Sequence, residues 1–396
     1  MSQTGSITVA DLRSHIDRDR LIDRLQNLVR TESENPPGNE YEVAQSVAAT
    51  CKDLGLDVSL HEGEPNRPCV VARWAGRPGP TVGYCSHYDV VPVGDRSLWS
   101  VDPFGAEIAD GRMHGRGSSD AKGPMAAALE AVEALMAAGF EPAGTLELEL
   151  VADEETMGFK GAGFLVEQRI ISPDVAIVGE PTSLRVVRAQ RGASWYRITT
   201  HGVAAHGSAP ERGVNAVLHM AELLLRLQET VPDITHPVLG GPTLSVGTIR
   251  GGEKVNIIPA SCVAEVDRRT IPGETTESVQ GTIEDAISRA QKRFPDLKAT
   301  AEVVFHSLPF EVPAEAEVVQ AVASAVADGT GEEPELIGFR GASDARFLVE
   351  TGADVVLCGP GDIGLAHTAR ESIDLDELEK GALVYALAFA RLLEAR

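Results

Sequence analysis

Four apolar stretches of this chain each lead into an acid or a histidine, and that repetition limits the folds open to it. Residues 81–85 run into His87 and Asp89, and 145–152, with alternating Leu146, Leu148 and Leu150, run into Glu154 and Glu155. Residues 175–178 run into Glu180, and 355–357 lead into the glycine-rich loop before His367. A fifth segment, Gly115-Arg116-Gly117-Ser118-Ser119-Asp120, ends on an acid ahead of a helix-like stretch. Short apolar runs of this kind read as buried parallel strands. An open α/β sheet places its ligand crevice outside the carboxyl ends of its strands, so these side chains are expected to converge on one site.

The pattern along the chain points to two domains, as does a length of 396 residues. Strand-like and helix-like segments alternate to about residue 190, with the clearest helix over 123–138, where Met125, Leu129, Val132, Leu135 and Met136 share a face and Gly139 supplies a stop. From there to about 304 the texture is α+β: Trp195 to Thr199, a helix over 216–230, strands over 244–249 and 262–266, and a helix over 276–293. The first pattern then resumes with helices over 315–327 and 375–393 around the strand near Val355. Because His367 must join ligands from the first half, the chemistry-bearing domain is expected to be discontinuous, 1–190 with 305–396, and 191–304 to be an insertion. The fold class is α/β, a mixed, mainly parallel sheet flanked by helices, with an inserted α+β domain.

Composition excludes several functions. A formal charge of -24, from 35 Lys and Arg against 59 Asp and Glu, repels phosphate backbones and anionic membranes, so neither nucleic acid nor a membrane is expected as a partner. No apolar run is long enough to suggest a membrane span, and residues 1–20 lack the apolar core of a secretory signal, which favours the cytoplasm. Cys51, Cys69, Cys85, Cys262 and Cys358 are scattered and show no CxxC spacing, as reduced thiols would. Gly115-Arg116-Gly117 lacks the Gly-Lys-Ser/Thr ending of a phosphate loop.

Aspartate, glutamate and histidine without thiolate suit zinc, cobalt or manganese in an open catalytic site. The segments carrying them are Ser86-His87-Tyr88-Asp89, Gly117-Ser118-Ser119-Asp120, Asp153-Glu154-Glu155, Gly179-Glu180-Pro181-Thr182 and Ala366-His367-Thr368. With these words in this order, nearly the whole chain resembles the co-catalytic di-zinc amidohydrolases, which include acetylornithine deacetylase, succinyl-diaminopimelate desuccinylase, aminoacylase and the glutamate-releasing carboxypeptidases. The resemblance implies two divalent metal ions, with His87 and Glu180 on one, Glu155 and His367 on the other, and Asp120 bridging. It also implies that Glu154 is the general base and that Asp89 fixes the His87 imidazole.

A second set of residues follows from the same resemblance. Gly202-Val203-Ala204-Ala205-His206-Gly207-Ser208-Ala209-Pro210 is similar to the family's lid and dimerisation domain, whose histidine stabilises the oxyanion in the partner's site; His206 takes that place, and a homodimer follows. Asn256 and Arg269 match positions that hold the substrate carboxylate, with Arg268 left as the alternative to Arg269. Ser343, Asp344 and Gly361 lie in loops that resemble the substrate side, where Arg340 and Ala342 replace the Gly and Thr of many relatives. The expected activity is hydrolysis of an amide, foremost the N-acyl bond of an amino acid. The alternatives are a dipeptidase or carboxypeptidase acting on a short peptide and, in another class, a silent binding protein, against which the intact ligand set speaks.

Overall fold

The computed structural model describes residues 8–394, so residues 1–7 of the polar N-terminal segment lie outside it. The chain divides into two compact units. The first comprises residues up to Arg188, Val312–Ile337 and the segment from Ser343 onward; the second comprises Ala189–Glu311 and Gly338–Ala342.

The sheet of the first unit runs in the order Asp57–Glu62, Pro68–Ala75, Ala143–Val151, Arg77–His87, Val175–Val178, Asp354–Leu357 and Val186–Gln190. Its centre is parallel: Arg77–His87 pairs in parallel with both Ala143–Val151 and Val175–Val178, and Asp354–Leu357 pairs in parallel with Val175–Val178. The two outer strands on the Asp57 side are antiparallel. Burial on both faces explains why the central strands read as nearly continuous apolar runs. A small three-stranded sheet joins Ser372–Asp374, Arg112–His114 and Glu107–Ala109.

Helix Lys122–Ala137 departs from the one-sided pattern expected of it. Its face marked by Met125, Leu129 and Val132 is buried, but so are Ala126, Ala127, Ala128, Glu130 and Ala131. Helices Arg18–Arg30 and Leu375–Leu393 pack against it and leave only Glu133, Met136 and Ala137 in reach of water. Glu130 is tolerated there because Arg20 and Arg24 reach it at 2.5 Å and 3.0 Å; a buried charge needs such partners. Among the described residues no helix is long and apolar enough to cross a membrane, and all five cysteines are buried and free.

The second unit holds a four-stranded antiparallel sheet in the order Thr243–Gly251, Ser261–Thr270, Gly192–His201, Lys298–Ser307. Strand Ser261–Thr270 alternates buried and partly exposed residues, the pattern of a sheet covered on one face. Helices Ala216–Glu229 and Thr276–Arg293 close a core of Tyr196, Ile198, Met220, Leu223, Val266 and Ile283. Asn215 caps the first helix by accepting from the N–H groups of Val217 and Leu218, and Thr275 opens the second with a capping box. Residues 338–342 group with this unit because the Arg191 N–H donates to the Phe339 carbonyl, a pairing that no local pattern announces.

Candidate metal centre

The first unit brings five side chains from five segments together at the carboxyl ends of its parallel strands. His87 is the last residue of its strand, Glu155 follows Ala143–Val151, Glu180 follows Val175–Val178, and Asp120 lies just before helix Lys122–Ala137. Ligand atoms of His87, Asp120 and Glu180 all lie within 4.8 Å of one another, and the same holds for Asp120, Glu155 and His367. Asp120 belongs to both groups. Its Oδ1 is 3.2 Å from Nε2 of His87, and its Oδ2 is 3.3 Å from Nε2 of His367. Nε2 of His367 is also 3.1 Å from Oε2 of Glu155.

His367 sits at φ 62° and Asp153, which opens the Glu154-Glu155 turn, at φ 74°. Side chains other than glycine seldom occupy this left-handed region, and such conformations gather at functional sites. The Asp120–Ala121 peptide is cis.

The electrostatics of the cluster are those of crowded negative charge. Burial pushes the Glu180 carboxyl well above its ordinary value, and Asp120 adds to the shift. Burial likewise raises Glu154, with His87 opposing and Glu180 reinforcing. Burial disfavours charge on His87, yet its contacts with Asp120 and Asp89 outweigh that and raise it, while Asp120 and then Glu155 push His367 up to about 10. Burial would raise Asp120 too, but its contacts with His367 and His87 hold it below the usual carboxylate range. Two imidazoles facing Asp120, Glu154, Glu155 and Glu180 leave a surplus of negative charge, which is costly without compensating cations. Oxygen and imidazole donors with no thiolate, grouped as two triads sharing one carboxylate, fit a pair of divalent metal ions.

The residues behind the cluster hold it in shape. Asp89 does so differently from the resemblance alone. Nδ1 of His87 lies 2.9 Å from the backbone carbonyl of Asp89 and 3.5 Å from its carboxylate. The backbone therefore sets the tautomer that leaves Nε2 free to bind metal. The Asp89 carboxylate accepts from the N–H groups of Glu154 at 3.2 Å and Glu155 at 3.1 Å, and from Nδ2 of Asn35 at 2.8 Å. Arg67, 6% exposed, joins Glu40 to Asp153, and Asp153 also accepts from Thr156 and from the Lys160 N–H. Trp99 packs its ring over the Arg116 guanidinium at 5.1 Å.

Sequence reasoning missed Asn35, Arg67 and Glu371. Glu371, 1% exposed, accepts from the N–H groups of Gly117, Ser119 and Asp120 and from Arg116. The one signal for it in the sequence is its place in the loop that carries His367.

Of the expected substrate-side residues in the first unit, Ser343 and Asp344 are buried at 0% and 1% exposure. Neither Oδ atom of Asp344 has a hydrogen-bond partner among the described residues, and one of them crowds the space above Gly158. Burial pushes the Asp344 carboxyl up to about 7, against the opposing charge of Arg346. Gly361, at φ 110°, uses its N–H on Glu377 and its carbonyl on the Ser183 N–H, and a side chain there would strike Ser119.

In the second unit, His206 is exposed on a segment paired with Ile257. Nδ1 of His206 accepts the Ser208 N–H at 3.1 Å and lies 2.7 Å from the Ser208 hydroxyl. The ring proton of the neutral form is therefore on Nε2. Asn256 is exposed, and its carbonyl accepts the Gly207 N–H at 2.8 Å. Arg268 is buried and ion-paired to Glu274, whereas Arg269 is half-buried and binds Asp267 at 2.9 Å. Arg191 was not expected here. Burial first, then the charges of Arg340 and Arg269, lower its pKa, so three guanidiniums share one neighbourhood of an acidic chain.

Comparison with known proteins agrees with this geometry. The model of peptidase family M20/M25/M40 matches residues 83–391. The succinyl-diaminopimelate desuccinylase of Hydrogenovibrio crunogenus is 30% identical over 385 residues, covering 94% of this chain and 98% of its own. Among solved structures, the aminopeptidase PepT of Bacillus cereus superposes with TM-score 0.81 at 23% identity, over 96% of this chain and 100% of that one. An M20 family metallo-carboxypeptidase of Sulfolobus solfataricus gives 0.76 at 21% identity, over 95% and 99%. Human carnosine dipeptidase 1 gives 0.73 at 18%, over 97% and 98%. At these identities the structures speak for the fold.

Proposed function

The chain belongs to peptidase family M20/M25/M40 and is a metal-dependent hydrolase of amide or peptide bonds; from that premise we propose that it is a deacylase that cleaves the N-acyl bond of an amino acid. The observation that carries the reaction is the position of Asp120, whose two oxygens face His87 and His367. His87, Asp120 and Glu180 would hold one ion and Asp120, Glu155 and His367 the other, with zinc as the proposed metal and cobalt or manganese as substitutes. Bound there, the ions would supply Lewis acidity to the scissile carbonyl and to the attacking water.

The chain's own groups carry the proton. Glu154 belongs to neither ligand triad, so its carboxylate is free to take a proton from water and deliver it to the departing amine nitrogen. Asp89 holds the backbone of Glu154 so that this carboxylate stays aimed. Nε2–H of His206, directed by Ser208, is a donor suited to the oxyanion that forms on the carbonyl. The same reading takes the protein as a cytoplasmic homodimer in which His206 serves the partner's site.

Two observations favour an acyl substrate bearing a carboxylate. The 30% identical relative is a desuccinylase by name, and Arg191, Arg269 and Arg340 gather positive charge of the kind that recognises a carboxylate. Amine release from N-succinyl, N-acetyl and N-formyl amino acids, run beside simple dipeptides, tests this. Preference for the acyl compounds supports the deacylase; cleavage of dipeptides alone, dependent on their free amino group, replaces it with a peptidase.

A further inference from the structure

Glu371 is an acid that the reaction outlined above leaves unused, and its carboxylate is held by backbone and side chain beside the metal centre. Its Oε1 accepts three backbone N–H groups from one short turn: Gly117 at 2.9 Å, Ser119 at 3.2 Å and Asp120 at 3.1 Å. Its Oε2 accepts from Nη1 of Arg116 at 2.5 Å. The same two segments meet twice more, where the Gly115 N–H donates to the Glu371 carbonyl at 3.1 Å and Nη1 of Arg116 donates to the Thr368 carbonyl at 3.3 Å. Trp99 covers the guanidinium.

Convergent backbone N–H groups form an anion cradle, and here the anion comes from the loop that carries His367. Asp120 ends the cradle, and His367 lies four residues before Glu371. One carboxylate thus ties together the two segments whose side chains must meet, Oδ2 of Asp120 and Nε2 of His367, 3.3 Å apart. Glu371 also satisfies three buried backbone N–H groups, so its removal bears on stability as well as on the ligands, and the two effects have to be measured separately.

We infer that Glu371 is a positioning residue for the metal centre: it fixes the shared ligand Asp120 relative to His367 and thereby sets the affinity for both ions. This rests on the reading of Asp120 and His367 as metal ligands. Groups that orient metal ligands commonly change metal affinity about 10- to 100-fold when removed.

Chelator competition for zinc at a temperature well below unfolding, with the melting curve of each metal-free protein recorded beside it, provides the test. Glu371→Ala should weaken binding of both zinc ions by about 10- to 100-fold. Glu371→Gln keeps a carbonyl oxygen for the three N–H groups but turns an amide toward Arg116, so it should recover part of the loss. Should the alanine variant fail to fold, Glu371→Asp takes its place with the same expectation, since it keeps the charge but withdraws it by one methylene. A purely structural role would lower the melting temperature and leave the affinity of the folded protein unchanged; unchanged affinity in a folded Ala or Asp variant overturns the inference. Wild-type protein that binds no zinc would instead overturn the metal-centre reading beneath it.

Discussion

The carboxylate of Asp89 holds the backbone of Glu154, accepting its N–H at 3.2 Å, while the neighbouring imidazole of His87 leans on the backbone carbonyl of Asp89. The two tasks are therefore separable by mutation. Asp89→Ala removes the anchor of the Glu154-Glu155 turn but leaves the carbonyl that sets the His87 tautomer. The variant should lose about 10- to 100-fold in kcat/KM, with occupancy falling first at the ion held by Glu155 and His367. Metal analysis beside steady-state kinetics checks this; equal loss of both ions would show that the carboxylate also governs His87.

Glu154 lies outside both ligand triads, so its neutral isostere separates chemistry from metal binding. Glu154→Gln should keep the wild-type metal content and lower kcat by about 100- to 10,000-fold, the usual contribution of a positioned general base. Undiminished turnover by the metal-loaded variant would remove Glu154 from the proposed role.

Glu149 gives a prediction away from the site. Burial first, and the adjacent Glu147 second, push its carboxyl well above its ordinary 4.5. The folded chain then keeps a proton that the unfolded chain releases, so stability is greatest below about pH 4.5 for this group and falls as pH rises toward the folded value. Glu149→Gln abolishes that dependence. Relative to wild type, its stability should rise between pH 5 and pH 8. Urea unfolding at the two pH values, with both proteins metal-loaded, measures the difference; parallel curves would mean that Glu149 titrates as an exposed acid.

His87, Glu155 and Glu180 were legible as candidates because each stands at or just after the end of a strand buried in the sheet, as with Val175–Val178 ahead of Glu180; Asp120, ahead of a helix, and His367, in a loop, lacked that signal. The helix Lys122–Ala137 was legible as a helix but not as one buried over most of its surface. Alanine suits an exposed helix face as well as a buried one, so Ala126 to Ala128 did not announce their burial. Asn35 and Arg67 were illegible for another reason. They act on Asp89 and Asp153 from distant segments, and an isolated asparagine or arginine has no periodicity. Glu371 works by accepting backbone N–H groups, which every residue of its partner segment possesses, so no side-chain pattern in Gly117 to Asp120 points to it. For Asp89 the structure divides between backbone and side chain what the resemblance assigned to the carboxylate alone.

The shared carboxylate of Asp120 is the centre of the account, and zinc titration of the metal-free protein, with amide hydrolysis followed in the same samples, tests it most directly. The account predicts two equivalents of zinc per chain, activity that rises with occupancy, and loss of both sites together in Asp120→Asn. Full hydrolysis by chelator-stripped protein, or two zinc ions bound with unchanged affinity by Asp120→Asn, would contradict it.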